Sequence, residues 1–309
     1  MDVMGQSITL LIKDDGASPA GARAAADAAI QEGAQAIIGP LFADNVREAG
    51  AAARRAGKPV IAFSTDSSVA ASGVYLLSFL VEGYVNRIVD YAADRGKKSF
   101  AALIPESAYG NLAMAAFQQA AGRRGLRVVA IERFPEANPA AGAQKIGAIA
   151  SQIDALFIPE QASNMASVSR ALVAAGVDPS KVQMLGTGVW ADSRVLRVPI
   201  LQGAWFSAPE NSGFNDFAQR YRAKFKSDPV RLASLAYDAV TFAGALAGNN
   251  SLNERALTDA NGAVGADGLF RLRPDGLNDR GLSVQQIRNG QTTVVSPAPR
   301  SFSGARPGT

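Results

Sequence analysis

Apolar positions along the chain fall into two recurring blocks. Long alanine-rich stretches alternate with short aliphatic runs, and a glycine usually separates them. Gly33, Gly57, Gly96, Gly125 and Gly176 each stand where an alanine-rich stretch stops, the place where a helix commonly closes on a left-handed residue. The aliphatic runs at 36–39, 59–63, 100–104, 126–131 and 182–186 follow within a few residues and lack sustained polar alternation. Such runs are expected of strands covered on both faces. Strand and helix in alternation predict an α/β protein built on mostly parallel sheets with helices on both sides.

Local signals agree. Ser18 before Pro19 supplies an N-cap hydroxyl and a proline for the first helical position, and Asp44 is placed to cap the next helix. Between 214 and 225, Phe214, Phe217, Ala218, Tyr221 and Phe225 share one helical face, read as core packing with a solvated back of Arg220, Arg222, Lys224 and Lys226. From residue 263 the chain changes to short strands punctuated by glycine, with Asp275-Gly276 and Asn289-Gly290 as turns. The Pro-, Ser- and Gly-rich stretch 297–309 is expected to be disordered. No repeat period is present; the strand YLLSF (75–79) and the segment GAWFSAPE (203–210) separate three blocks. The expected organisation is a first lobe from 1–78, a second lobe from 79–203, a return to the first lobe with hinge strands over 204–296, and the tail.

Composition narrows the chemistry. The 309 residues contain neither histidine nor cysteine, which removes Ser-His-Asp and Cys-His catalysis, the usual zinc and haem ligands, and thiol redox. The net charge of +4 comes from basic residues scattered singly or in pairs, such as Arg54-Arg55, Lys97-Lys98 and Arg123-Arg124. They form no nucleic-acid-type stripe. No apolar run is long enough to span a bilayer, and the first six residues lack the features of a signal peptide. Neither a dinucleotide-binding nor a P-loop glycine motif is present, so no cofactor is expected.

In open parallel sheets, ligands bind outside the carboxyl ends of the strands, which selects the windows 39–44, 63–67, 105–110, 159–163 and 186–192. They hold hydroxyls and amides (Ser64, Thr65, Ser107, Gln161, Thr187), two aromatics (Tyr109, Trp190) and acids (Asp66, Glu106, Glu160, Asp192), a mixture suited to gripping a small polar molecule. Each has a second reading. Ser64 and Thr65 could simply close a turn, Tyr109 could be a surface aromatic, and Trp190 is either a recognition surface or core. Glu106 and Glu160 are the one carboxylate pair to weigh as a general acid and base; helix capping and arginine pairing are the commoner uses.

The stretch DDGASPAGARAAADAAIQEGAQAIIGPLFADNVREAGAAARRAGKPVIAFSTD (14–66), with IPESAYGN (104–111), LAYDAV (235–240) and GADGLFRLRPDG (265–276), resembles the type I periplasmic binding proteins that include the leucine/isoleucine/valine receptors. The resemblance covers most of the chain. It implies two α/β lobes joined by three crossing strands, closing by a hinge over a ligand. First-lobe contacts would fall on Leu41, Phe42, Ala43, Ser64 and Thr65, with helix N-termini near Asp44 and Tyr109 holding a carboxylate. The second-lobe aromatic would be Tyr109, joined by Gln161, Thr187 and Trp190. Where amino-acid receptors offer an acid to the ligand's ammonium, the nearest acid here is Asp192, a departure that argues against a free α-amino acid.

The function so implied is non-enzymatic: a periplasmic protein that captures an amino-acid-like or carboxylate solute for a membrane ABC permease. The segment MLGTGVWADSRVLRVPILQGAWFSAPE with FAQRYRAKFKSDPVRLASLAYDAV also resembles a subgroup described as penicillin-binding-protein activators. That alternative would make the protein a lipid-anchored partner of a peptidoglycan synthase. Members of the family begin with a signal peptide, a central strand and a helix ahead of the segment matching SITLLIKDD, so the chain is expected to lack its first strand. Intact-mass measurement of the natively produced protein is expected to give more than the 32.1 kDa of this sequence; a mass equal to it, with Met1 as first residue, overturns that expectation.

Overall fold

The computed structural model describes residues 2–3, 6–135, 138–248 and 252–302. The chain divides into two compact units: 1–80 with 210–281 and 299–309, and 81–209 with 282–298.

In the first unit a minimal hairpin, β1 (Asp2–Val3) and β2 (Gln6–Ser7), precedes α1 (Pro19–Gln31), β3 (Ile37–Ile38), α2 (Ala43–Arg55), β4 (Val60–Ala62) and β5 (Val74–Leu76). β3, β4 and β5 form a parallel three-stranded sheet in that order. Alternate residues of each strand enter different cores, as a doubly covered strand requires. Val60, Ala62, Val74 and Leu76 pack with Val46 and Ala53 of α2. Ile61, Tyr75 and Leu77 pack with Ala239 and Ala243 of α9 (Leu232–Gly248). α1 lies against α2 through Ala22, Ala26, Ala49 and Ala52. The unit is completed by α8 (Asn211–Phe225), α10 (Glu254–Leu257) and an antiparallel sheet of β11 (Ala263–Gly265), β12 (Gly268–Leu272) and β13 (Asn278–Arg280).

The second unit is built on seven strands. Its elements are α3 (Val81–Asp94), β6 (Ser99–Pro105), α4 (Ala108–Arg123), β7 (Arg127–Phe134), α5 (Ala140–Ile149), β8 (Ala155–Phe157), α6 (Ala162–Ala174), β9 (Gln183–Gly186), α7 (Ser193–Leu196), β10 (Trp205–Ala208), β14 (Ser283–Arg288) and β15 (Gln291–Ser296). The sheet order is β15-β14-β10-β9-β8-β6-β7, with the last five parallel and β14 and β15 antiparallel at one edge. Phe100, Ala102, Ile104, Ala155 and Phe157 face α3 and α4, whereas Ala101, Leu103, Leu156 and Met184 face α5 and α6. Phe157 stacks on Phe117, centroids 5.2 Å apart and planes 8° from parallel.

The glycine punctuation reads correctly: all five helix-closing glycines have positive φ, and Asn289-Gly290 (φ 51° and 73°) turns β14 into β15. Ser18 caps α1 as expected, its Oγ accepting from the Gly21 N–H at 3.1 Å. Three expectations are corrected. Asp44 does not cap α2; Phe42 holds the N-cap position without a side-chain bond, and Asp44 pairs with Arg47 inside the first turn, where an acid still favours the helix dipole. The aromatic face of α8 is only partly core: Phe217 and Ala218 are buried, while Phe225 is 56% exposed and packs against Tyr221 at a 43° tilt. The expected disorder does not hold for 297–302, because Phe302 is buried beneath the Arg271 guanidinium, 4.5 Å from the ring centroid; residues 303–309 lie outside the described residues.

Replacing Phe157 by Ala removes the residue on which the α3/α4 face stacks. Urea denaturation of Phe157→Ala is expected to show a loss of about 3–5 kcal/mol, and a loss below 1 kcal/mol would contradict this core assignment.

Candidate functional site

β6, β8 and β9 are adjacent and parallel, so the loops at their carboxyl ends emerge side by side. After β6, Ser107 caps α4 by accepting from the Gly110 N–H at 3.0 Å. The first turn of α4 sits so close to β6 that a Cβ on Gly110 would fall 2.0 Å from the Pro105 carbonyl oxygen; only glycine fits. This turn carries Tyr109, whose hydroxyl hydrogen-bonds the Thr187 hydroxyl at 2.6 Å across from the end of β9. Burial pushes the Tyr109 phenol up to about 12, the bond to Thr187 opposing it only in part.

One residue further, a Cβ on Gly188 would lie 2.5 Å from the Tyr84 ring. The backbone carbonyl of Tyr84 is held in turn by the Ser207 hydroxyl at 2.7 Å. After β8, Glu160 is buried and its Oε1 accepts from the Gln161 N–H at 2.6 Å. Gln161 itself is exposed at the start of α6. The second unit therefore gathers Tyr109 with Thr187, and Tyr84 with Gly188, at strand ends neighbouring Glu160 and Gln161. Sequence reasoning missed Tyr84, because nothing in the local sequence of α3 marks one turn of an amphipathic helix as facing a strand end.

Two expectations for this unit do not hold. Trp190 is fully buried in the core with Phe206, and it lies over Gly186, where a Cβ would stand 2.1 Å from the indole. The polar string GTGVWAD thus contains a core tryptophan, made possible by the bare glycine beneath it. Asp192 caps α7 by accepting from the Arg194 N–H at 2.8 Å, and the Arg194 guanidinium binds both its oxygens, at 3.0 and 2.8 Å. Those bonds hold its carboxyl down to about 2. The carboxylate is committed to its own loop. Glu106 is exposed while Glu160 is buried, the burial of one member only of the carboxylate pair weighed above.

In the first unit, β3 and β4 deliver the loops 39–44 and 63–67 together, and the Phe63 N–H donates to the Pro40 carbonyl at 3.0 Å. Leu41 and Phe42 are exposed, 40% and 55%, with Ala43 half-buried behind them. Ser64 is buried, its hydroxyl accepting from the Asp66 N–H at 3.1 Å. Asp66 in turn accepts from Ser68, bonds that hold its carboxyl below the usual range. Thr65 is exposed beside them. Sequence reasoning also missed Arg280. Its guanidinium sits 4.6 Å from the Phe79 ring centroid and 5.7 Å from that of Phe270, and its Nε donates to the Ser78 carbonyl at 3.1 Å. Asp238, from the LAYDAV motif, accepts from the Ala266 N–H at 2.6 Å, and burial pushes its carboxyl up. It pins a backbone turn.

Among the described residues no group of three or more potential ligands could hold a metal ion, and no helix is long and apolar enough to cross a membrane. Residues 1–292 match the family model for periplasmic binding proteins. The chain belongs to the periplasmic binding protein family. Solved structures share the fold of this binding protein. A candidate branched-chain amino acid ABC transporter protein from Rhodospirillum rubrum matches with TM-score 0.83 at 19% identity, over 95% of this chain and 89% of that one. A leucine-binding protein from Thermotoga maritima matches with TM-score 0.64 at 20% identity, over 96% and 89%. A solute-binding protein of an ABC transporter from Rhodopseudomonas palustris, solved with 3,4-dihydroxybenzoic acid, matches with TM-score 0.63 at 20% identity, over 96% and 87%. No curated protein matches the sequence. The expected type I α/β fold is therefore the fold of this periplasmic binding protein.

The Tyr109–Thr187 pair gives a testable titration. Because the folded phenol ionises near 12 and an unfolded tyrosine near 10, its contribution to stability is complete below about pH 10 and is lost as pH rises towards the folded value. Ultraviolet titration is expected to show one tyrosine ionising near 12 that is missing in Tyr109→Phe. Thr187→Val should raise that ionisation further and cost about 1–3 kcal/mol by leaving the buried hydroxyl without its partner; an unchanged titration would refute the pairing.

Proposed function

We propose that this periplasmic binding protein captures a small carboxylate-bearing solute in the periplasm and delivers it to a membrane ABC permease. The observation that carries the reading is the family match over residues 1–292. The solved relatives described with leucine and with a dihydroxybenzoic acid support a small carboxylate as the class of solute.

The strand ends add chemical detail. In this reading Ser64 and Thr65 from the first unit, and Tyr109, Gln161 and Thr187 from the second, contact the solute, with the exposed Leu41 and Phe42 against its apolar part. The N-terminal turn of the sixteen-residue helix α4 offers backbone N–H groups and a positive dipole end, which favour an anionic group. Asp192, the acid nearest the segment where amino-acid receptors meet an ammonium, is already bound at both oxygens by Arg194. A carboxylate with a neutral aliphatic or aromatic body therefore fits these groups better than a free α-amino acid. Trp190, buried in the core, takes no part.

The test is a thermal-shift and calorimetric screen of the folded, ligand-free protein against branched-chain amino acids, their 2-oxo acids and hydroxybenzoates. A true ligand at about 100 times its Kd stabilises by about 2.7 kcal/mol. Thr65→Ala is expected to weaken binding about tenfold, a cost of about 1.4 kcal/mol, with the melting temperature of the free protein unchanged. A screen without any shift overturns the transport reading and leaves protein–protein contact, of the kind a peptidoglycan synthase would make, as the activity to assay.

A further inference from the structure

At the amino ends of its strands the second unit gathers positive charge into one corner. β6 and β7 are adjacent and parallel, so the turns leading into them from α3 and α4 lie side by side. The Arg127 N–H donates to the Lys98 carbonyl at 3.0 Å between them. Each turn closes through a glycine of positive φ, Gly96 at 84° and Gly125 at 61°, and each is rich in cations. The first carries Arg95, Lys97 and Lys98, the second Arg123, Arg124 and Arg127; Lys97 is half-buried and the other five are exposed.

The helix dipole accounts for part of this set. Arg123 in the last turn of α4 and Arg124 at its C-cap complement the negative helix end, but Lys98 and Arg127 stand where strands begin. Neighbouring acids do not neutralise the corner. Arg124 pairs with Asp94 and lies 3.8 Å from Asp90, whereas none of the other five makes an ion pair with a described residue. Arg95 lies over the Tyr91 ring, 5.0 Å from its centroid, and Arg123 donates to the Asn86 side chain at 2.8 Å. Asp154, just before β8, holds the main chain of the first turn, its Oδ2 accepting from the Lys98 and Ser99 N–H groups, both at 2.9 Å. The turn into β9 differs, since its Lys181 pairs with Asp178 at 3.8 Å.

We infer that this corner docks the second unit on an anionic phospholipid surface. A protein partner would need apolar or aromatic anchors to desolvate, and the large apolar side chain exposed beside these cations is Val128, at 37%. A lipid surface needs no fitted anchor. Each Lys or Arg is attracted separately to the headgroup charge, and the attraction fades within a Debye length. The corner is separated from the edge bearing Tyr109 and Thr187 by the length of β6, about 20 Å, so docking leaves those groups uncovered. The inference does not depend on which solute the protein takes.

The test is flotation of the full chain with vesicles of phosphatidylcholine alone and with about 30% phosphatidylglycerol. Binding is expected only to the anionic vesicles, at about 0.05 M salt and not at about 0.5 M. The triple variant Lys98→Glu, Arg123→Glu, Arg127→Glu should weaken it about tenfold or more, and the Gln triple at the same positions should weaken it less. Melting temperatures check that both fold. A triple of equal net charge elsewhere, Arg170→Glu, Arg220→Glu, Lys224→Glu, all at exposed positions, should bind like the unaltered chain. The inference is overturned if anionic vesicles do not bind, if neutral vesicles bind equally, if the corner variants keep full binding, or if the distant triple loses as much. Release by millimolar inorganic phosphate at constant ionic strength would mean a discrete phosphate site, and binding of polyglutamate but not of vesicles would mean an acidic protein partner; either result overturns it as well.

Discussion

A parallel strand inside a sheet has no solvent face. Its neighbours occupy both hydrogen-bonding edges, and the helical crossovers that connect parallel strands cover both sides, so every second residue enters a different core. In β6 this divides Ala101 and Leu103 from Phe100, Ala102 and Ile104; in β4 it divides Ile61 from Val60 and Ala62. The remaining features follow from that requirement. Helices must be thin enough on their inner faces to approach a sheet, which the alanines of α1, α2 and α4 provide, and each must end abruptly so that the next strand can begin.

The same arrangement produces the candidate site. Since all strands of a parallel ladder run one way, their carboxyl ends and the helix starts that follow share one edge of the sheet. In the second unit, polar side chains near the sequence positions 109, 161 and 187 are thereby brought to one edge of the sheet although they are far apart along the chain. Close packing then sharpens the arrangement: Gly110 lets α4 sit on β6, and Gly188 makes room for the Tyr84 ring. The outcome is that the Tyr109 and Thr187 hydroxyls, the Gln161 amide and the buried carboxyl of Glu160 stand at neighbouring strand ends.

Much of this was legible in the sequence, because some residue types have few conformational uses. Glycine at the end of an alanine-rich stretch, Ser-Pro before one, and Asn-Gly between strands each answer to a local backbone requirement, and so the alternation of elements, the α/β class and the strand-end windows could be read in advance. What could not be read were burial and side-chain partnership, which local backbone preference does not fix. Trp190 looks exposed from its polar neighbours, yet Gly186 makes a seat for its indole; Asp192 looks free until Arg194 closes on it; Tyr84 and Arg280 carry no motif and acquire their neighbours only on folding. Local backbone preference is written residue by residue, whereas burial and hydrogen-bond partnership depend on which surfaces meet, and only the tertiary structure decides that.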